Sequence, residues 1–344
     1  MNLSRQELAK QVYQEALVID GLNVSCWDSP AVFRSLHSGG VTAINATTAT
    51  LENFIETLDH IARWLQHFRA YQDVLLPVRR VDDILQAKKE SKVGIILGFQ
   101  NATPIENDLD RLALFHALGV RIIQLTFHER NLLGSGCHER RDDGLSHFGL
   151  DAVREMNRLG ILIDLSHVGV RSTLEAIEAS EQPMAITHAN CRSYFEHPRN
   201  KTDEAVRLLA QKGGVIGATA ITPFLRTGFD STLEDYVDAI DDMVNRVGIN
   251  HVAIGTDFTQ DQPVSFWKYI GSQQGTKYPA TFADRYVRYN DVSFYPESLK
   301  TPDDLPNLAS ALLNRGFSTE DVKKILGENW LRLFREVWLD EPGA

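Results

Sequence analysis

Short runs of apolar, mostly β-branched residues recur along this chain, and each ends in polar ones. "LVIDGLN", "VTAINATTAT", "KVGIILGFQN", "VRIIQLTFHE", "GILIDLSHVG", "PMAITHAN", "GGVIGATAIT" and "HVAIGTDFTQ" read as eight buried parallel strands. Between them the apolar spacing lengthens to that of a helix. "NFIETLDHIARWLQHFRAY", "DLDRLALFHALG", "HFGLDAVREMNRLG", "RSTLEAIEAS", "TDEAVRLLAQKGG" and "LEDYVDAIDDMVNRVG" are amphipathic, and several stop at a glycine. Eight such units predict an α/β fold, a (β/α)8 TIM barrel, with polar groups gathered at the C-terminal ends of its strands. A doubly wound sheet would also alternate, but no glycine-rich phosphate fingerprint follows the first strand. The segment "STEDVKKILGENWLRLFREVW" predicts an N-capped helix pair closing the outer ring. With no linker or low-complexity stretch, residues 1–344 read as a single domain.

Two loops depart from this rhythm. "ERNLLGSGCHERRDDGLSHF" after the fourth strand is rich in glycine, and the segment from "TQDQPVSFWKY" to "NDVSFYPES" after the eighth is rich in aromatic residues. Loops of that length on the active face of a barrel shape access to a site, or else form a subunit contact. A role as an interaction scaffold built on the aromatic loop is therefore a further possibility.

Composition narrows the partners. A formal net charge of -11 over 344 residues excludes nucleic acid or an anionic membrane as the main partner. No apolar run reaches the roughly 18 residues of a membrane span. Cys26, Cys137 and Cys191 are few, scattered and odd in number, which fits a reducing compartment. The N-terminus reads as a capped helix and not as a signal peptide. The expectation is a cytoplasmic protein acting on a small molecule.

The polar residues at the strand ends are Asp20, Gln100, His128, His167, His188 and Asp257, with Arg199 just beyond the sixth strand. Two histidines on consecutive strands and an aspartate on the last can converge on one metal ion. Such an ion acidifies water and polarises a carbonyl. Asp257 could then move a proton, His128 could stabilise an oxyanion, and Arg199 could clasp a carboxylate in a two-pronged hydrogen bond. The plain alternatives are that Arg199 pairs with Asp203 and that His128 caps the loop beside it.

The motifs "GVRIIQLTFHERN", "GLSHFGLDAVREMNRLGILIDLSHVG", "AITHANCRS", "HPRNKTDE", "AIGTDF" and "ILGENWLRLFREV", in this order, resemble those of the membrane dipeptidase (renal dipeptidase) family of metallopeptidases in the amidohydrolase superfamily. That resemblance implies a barrel enzyme that hydrolyses small dipeptides at a pair of bridged zinc ions, and it suggests a homodimer. By motif, His167 and His188 match ligands of the second metal and Asp257 the acid on the last strand. His128 and Arg199 match the residues that touch the substrate carbonyl and its terminal carboxylate. The first strand departs from the family pattern D-G-H-N-D, because Leu22 and Val24 stand at the two first-metal ligands. Gln100, in "LGFQN", stands at the bridging glutamate.

Two cations held about 3.5 to 4 Å apart need several carboxylates, since their repulsion is strong at low dielectric. Asp257 is the one carboxylate left, so a binuclear centre is disfavoured. The expectation is a dipeptidase-like hydrolase with one divalent ion, zinc, on His167, His188 and Asp257, with Gln100 as a weak ligand and Cys26 as a remote replacement. The alternative is a metal-free relative that binds a small carboxylate ligand without cleaving it.

Overall fold

A computed structural model describes residues 4–279 and 294–339. Part of the aromatic loop, residues 280–293, lies outside the described residues. The eight expected strands form as β1 (Ile19–Asn23), β2 (Ala43–Ala49), β4 (Val93–Phe99), β5 (Val120–Gln124), β6 (Leu162–Asp164), β7 (Ala185–Ile186), β8 (Val215–Ala218) and β9 (Val252–Ile254). A short β3 (Leu75–Pro77) adds to the side of β4. All pairings are parallel and run in the order β1-β2-β4-β5-β6-β7-β8-β9.

Beyond the last ladder the ring is drawn together by a bridge between Asn23 and Phe258. Val24 N donates to Phe258 O at 2.7 Å and Asp257 N to Leu22 O at 3.0 Å. Asp20 locks the same seam, its carboxylate accepting from Thr256 N at 2.7 Å and Thr256 Oγ1 at 2.6 Å. Burial pushes the Asp20 carboxyl up to about 6 against those hydrogen bonds. Asp20 is thus a closure residue, although it sits among the strand-end polar groups.

The helices follow their sequence signals. Ser4 and Asn53 form capping boxes at Arg5–Glu15 and Phe54–Ala70, each satisfying otherwise orphaned N–H groups. Helix His147–Leu159 ends at Gly160, whose φ of +71° is the left-handed stop that glycine takes without strain.

The C-terminal helix differs from expectation. Ser318 caps Thr319–Lys323 as expected, but Asn329–Val337 does not join the outer ring. Its Trp330, Leu331, Leu333 and Phe334 pack with Ile19, Ala43, Ile122, Leu162, Val215 and Ala253 from the barrel interior. The helix plugs the N-terminal floor, and Trp330 Nε1 donates to Ile254 O at 2.8 Å. Gly21 makes room for it, because a Cβ there would lie 2.6 Å from the indole and 2.8 Å from Thr187 O. With the floor filled, the end of the barrel left open among the described residues is the opposite one.

Candidate active site

At the C-terminal end of the strands lies a cavity of about 110 Å³, lined on its polar side by Gln100, His128, His138, His167, Arg199 and Asp257. His188 stands behind His167, fully buried, with the two Nε2 atoms 2.8 Å apart. Thus His128, His167, His188, Arg199, Asp257 and Gln100 come together as the sequence suggests.

The histidine pair rests on a buried network. Asp164, at the end of β6, accepts from Ser166 N (3.0 Å), Ser166 Oγ (2.5 Å), Thr187 N (2.9 Å) and Thr187 Oγ1 (2.6 Å). Burial raises its carboxyl, and these donors pull the other way. Thr187 Oγ1 also lies 2.8 Å from His188 Nδ1. A hydroxyl has one proton, and here it goes to Asp164, so the oxygen accepts from Nδ1–H of His188. That tautomer leaves Nε2 of His188 as a bare lone pair. His167 Nε2, 2.8 Å from that lone pair, is therefore the donor between the two rings. Its Nδ1 is buried without a hydrogen-bond partner, so His167 offers Nε2 to an ion once that proton has moved to Nδ1. Burial, with Arg199 next in weight, holds both imidazoles well below the ordinary histidine range. Both are therefore neutral, as a ligand must be.

For two metal ions this donor set does not fit. Leu22 and Val24 are buried aliphatic side chains, Val24 forms part of the cavity wall, and Gln100 is a neutral amide whose Nε2 donates to Thr47 Oγ1 at 3.1 Å. For one ion, the pair supplies two convergent nitrogens, Nε2 of His188 as a lone pair and Nε2 of His167 after its proton has shifted to Nδ1. Among the described residues no group of three or more His, Cys, Asp or Glu side chains is arranged as a metal site. Cys26 does not reach the cavity and lines a neighbouring cleft with Thr47 and Trp64.

Asp257 enters the cavity from a backbone with φ +62°, a left-handed conformation uncommon outside glycine and found at sites where surroundings enforce it. Burial pushes its carboxyl up to about 7, Arg199 opposes the rise, and Asp20 and Asp164 add to it. Tyr295 donates its hydroxyl to Asp257 O at 2.5 Å.

Arg199 is buried and held by carbonyls, Nη1 to Ser166 O at 2.5 Å and Nη2 to His188 O at 3.1 Å. It does not pair with Asp203, which is engaged by Arg246 and Arg207. The Phe224 ring lies 5.4 Å from its Cζ, the Cys137 thiol is beside it and Asp257 shares the cavity. With no ion pair among the described residues, this buried cation in a cavity wall is poised for an anion. The His128 ring lines the cavity, and its backbone O accepts from His138 N at 2.9 Å.

Two site histidines escaped the strand-end reading. The glycine-rich loop folds back on β6 through Cys137 N to His167 O at 2.7 Å, and this delivers His138, its ring 5.0 Å from that of His128. His197 lies two residues before Arg199, and Arg199 N donates to its Nδ1 at 3.1 Å. Burial, then Arg199, pushes His138 down to about 3 and His197 to about 4. The "EHPRN" spacing was the available signal for His197. For His138 there was none beyond its place in a long loop. The described part of the aromatic loop supplies Phe266, Trp267, Ile270 and Phe294 to the cavity wall, which favours a role in substrate access.

Known proteins show the same architecture. A model of the membrane dipeptidase family (peptidase family M19) matches residues 11–274 and 268–340. The chain is 38% identical to an amidohydrolase from Pseudomonas aeruginosa, with TM-score 0.91, covering 96% of this chain and 99% of that one. It shares its fold with a metallopeptidase from Rhodobacter sphaeroides solved with a phosphinate mimic of L-Ala-D-Ala, at 20% identity, TM-score 0.78 and coverage of 94% and 99%. It is 29% identical to the dipeptidase tcpJ of Claviceps purpurea over 84% of this chain, and it spans only 61% of that relative's length. The barrel, the motif order and these matches agree: the chain belongs to the membrane dipeptidase family, peptidase family M19.

Proposed function

We propose that this protein hydrolyses the amide bond of a dipeptide or a similar small amide bearing a free carboxylate, using at most one divalent ion, zinc. The observation that carries the proposal is the meeting of the His167–His188 pair with the Arg199 guanidinium, which forms no ion pair among the described residues, in one cavity. Arg199 receives the substrate carboxylate, which places the scissile amide over the histidines. Asp257 accepts a proton from the attacking water and returns it to the leaving amine. His128, neutral through burial, donates its N–H to the developing oxyanion. His167 and His188 would hold the ion, with Asp257, and Gln100 as a weak ligand, completing the donor set. When bound, it would polarise the carbonyl and lower the pKa of a water toward about 7.

The test combines elemental analysis after zinc equilibration with hydrolysis of carboxylate-bearing amides. About one ion per chain, lost in the His167→Ala and His188→Ala variants along with turnover, is the expected result. Two ions per chain would refute the single-ion reading. Leu22, Val24 and Gln100 favour a second reading, ligand binding without cleavage, which would show as tight carboxylate binding with no turnover at any zinc level. No helix among the described residues is long and apolar enough to cross a membrane. The homodimer suggested by the family is to be checked by light scattering.

A further inference from the structure

The active cavity has a neighbour. A side cavity of about 90 Å³ shares Phe127, His128 and Ile270 with it, and Asn101, Thr103, Glu129 and Ser272 are among its polar residues. It lies where the loop after β5 meets the segment after β9, joined there by Gln274 Nε2, which donates to Arg130 O at 2.9 Å. A space of that size holds about three groups as large as a water molecule.

Glu129 is the half-buried acid of this side cavity. Burial raises its carboxyl, the backbone N–H of Gln274 opposes the rise and Glu139 adds to it. Neighbouring acids are engaged elsewhere. Glu52 accepts from Thr50 N at 2.5 Å and Leu51 N at 3.1 Å. Asp28 faces Arg63 at 3.4 Å and His67 at 3.8 Å. Glu139 accepts from Arg130 N at 3.1 Å and Arg140 N at 2.9 Å. The Arg130 guanidinium turns to Asp143 at 2.5 Å and to Arg141 O at 3.1 Å, so among the described residues Glu129 forms no ion pair. In the same cavity Asn101 Oδ1 accepts from Asn131 Nδ2 at 2.8 Å, and Ser272 Oγ donates to Tyr269 O at 2.6 Å. Both oxygens keep a lone pair for a further donor.

With the substrate carboxylate on Arg199 and the scissile amide over the histidines, the α-ammonium of a dipeptide is one carbon from the carbonyl and stays in the active cavity. What extends past the shared wall is the side chain of the acyl-side residue. Methylenes there cover Phe127 and Ile270. A cation at the end of the chain gains from the aromatic face and from the Glu129 carboxylate. An acidic end would meet that carboxylate as a like charge, and an apolar end would leave it without a partner. We propose that the side cavity is the specificity subsite for the acyl-side residue, and that it takes a lysine-like side chain whose terminal ammonium is received by Glu129. The proposal rests on the reading of Arg199 as the carboxylate anchor.

Two compounds that differ only in the side-chain ammonium test it: lysyl-alanine and norleucyl-alanine, each made with L- and D-alanine. Binding to the zinc-equilibrated protein is read by calorimetry and turnover by release of alanine. Glu129→Gln removes the charge and keeps an acceptor oxygen for Gln274 N–H. The expected result is a Kd at least about 10-fold lower for lysyl-alanine, with kcat/KM ordered the same way, and a difference of under about 2-fold in Glu129→Gln. Equal Kd values in the unaltered protein, or a preference that survives Glu129→Gln, overturn the subsite, and release of alanine would still uphold the hydrolase reading. A loss in the variant that norleucyl-alanine shares in full would give Glu129 to the α-ammonium and overturn the side-chain assignment. Selective binding of lysyl-alanine without release of alanine supports the subsite and refutes the hydrolase reading. If neither compound binds, both fall.

Discussion

Replacing Thr187 with valine removes one hydroxyl and almost no volume, yet that hydroxyl joins the barrel core to the candidate site. It is fully buried and lies 2.6 Å from Asp164 Oδ2, 2.8 Å from His188 Nδ1 and 3.1 Å from Ser166 Oγ. Asp164 would keep three of its four donors and lose one charged hydrogen bond, about 1.5–3 kcal/mol. His188 Nδ1–H would be left buried without an acceptor, about 1–3 kcal/mol more. The methyl group that takes the hydroxyl's place fills the space, so no cavity cost is added. Thr187→Val should therefore lower unfolding stability by about 3–5 kcal/mol, read from denaturant midpoints at unchanged m.

The same substitution also releases the tautomer, because nothing then holds the proton on Nδ1. Zinc affinity, measured by competition with a chromophoric chelator, should fall about 10- to 100-fold. Thr187→Ser, which keeps the hydroxyl, should recover most of the affinity. Unchanged zinc affinity in a folded Thr187→Val protein would show that the hydroxyl does not orient His188, and the ligand reading of the pair would lose its main structural support.

Three further outcomes follow from the same contacts. Arg199→Met should weaken binding of a dipeptide or N-acyl amino acid far more than that of its methyl ester, and equal losses by calorimetry would refute the carboxylate anchor. Trp330→Ala empties the barrel floor of a fully buried indole and its bond to Ile254 O, so it should cost about 3–5 kcal/mol. A loss under about 1.5 kcal/mol in denaturant unfolding would place that helix outside the core. Lys201 is buried with Nζ 2.6 Å from Val168 O, and burial lowers its amine to about 7. Between that value and the ordinary lysine range the unfolded chain holds a proton that the folded one releases, so stability rises with pH there. Lys201→Met should flatten the rise in denaturant midpoint from about pH 7 to 9.5, and an unaltered slope would rule out this lysine as its source.

Much of the fold was legible because buried parallel strands need continuous β-branched runs, and all eight such runs became barrel strands. β3 was not, since three residues ending in Pro77 at the side of β4 carry too little pattern to separate from a loop. The floor helix shows a different limit. Its apolar stripe announces burial but is the same whether the helix lies on the ring or under it, and what decides the matter is the space left at Gly21 for Trp330. In the site, the strand-end residues were legible through position alone. His138 was not, because a backbone hydrogen bond from Cys137 to His167 O brings it in, and such a loop pairing has no periodicity. The network of Asp164, Ser166 and Thr187 lay in plain view beside the two histidines, but its role emerges only when β6 and β7 are adjacent.

The stretch from Asp20 to Val24 shows how one motif can keep its mechanical half and lose its chemical half. Asp20 holds Thr256 across the barrel seam. Gly21 makes room for the floor tryptophan. Asn23 forms the bridge to Phe258, and its Oδ1 accepts from Ser25 N at 3.1 Å. These residues match the family pattern, and each closes or fills the barrel. Leu22 and Val24 depart from it, and by the resemblance their places are the ligands of the first metal, so what these two residues lack is metal donors and not a part in closing the barrel. A cavity that keeps the oriented histidine pair, Asp257 and Arg199, while Val24 joins an aromatic wall, has exchanged one metal's worth of charge for apolar surface.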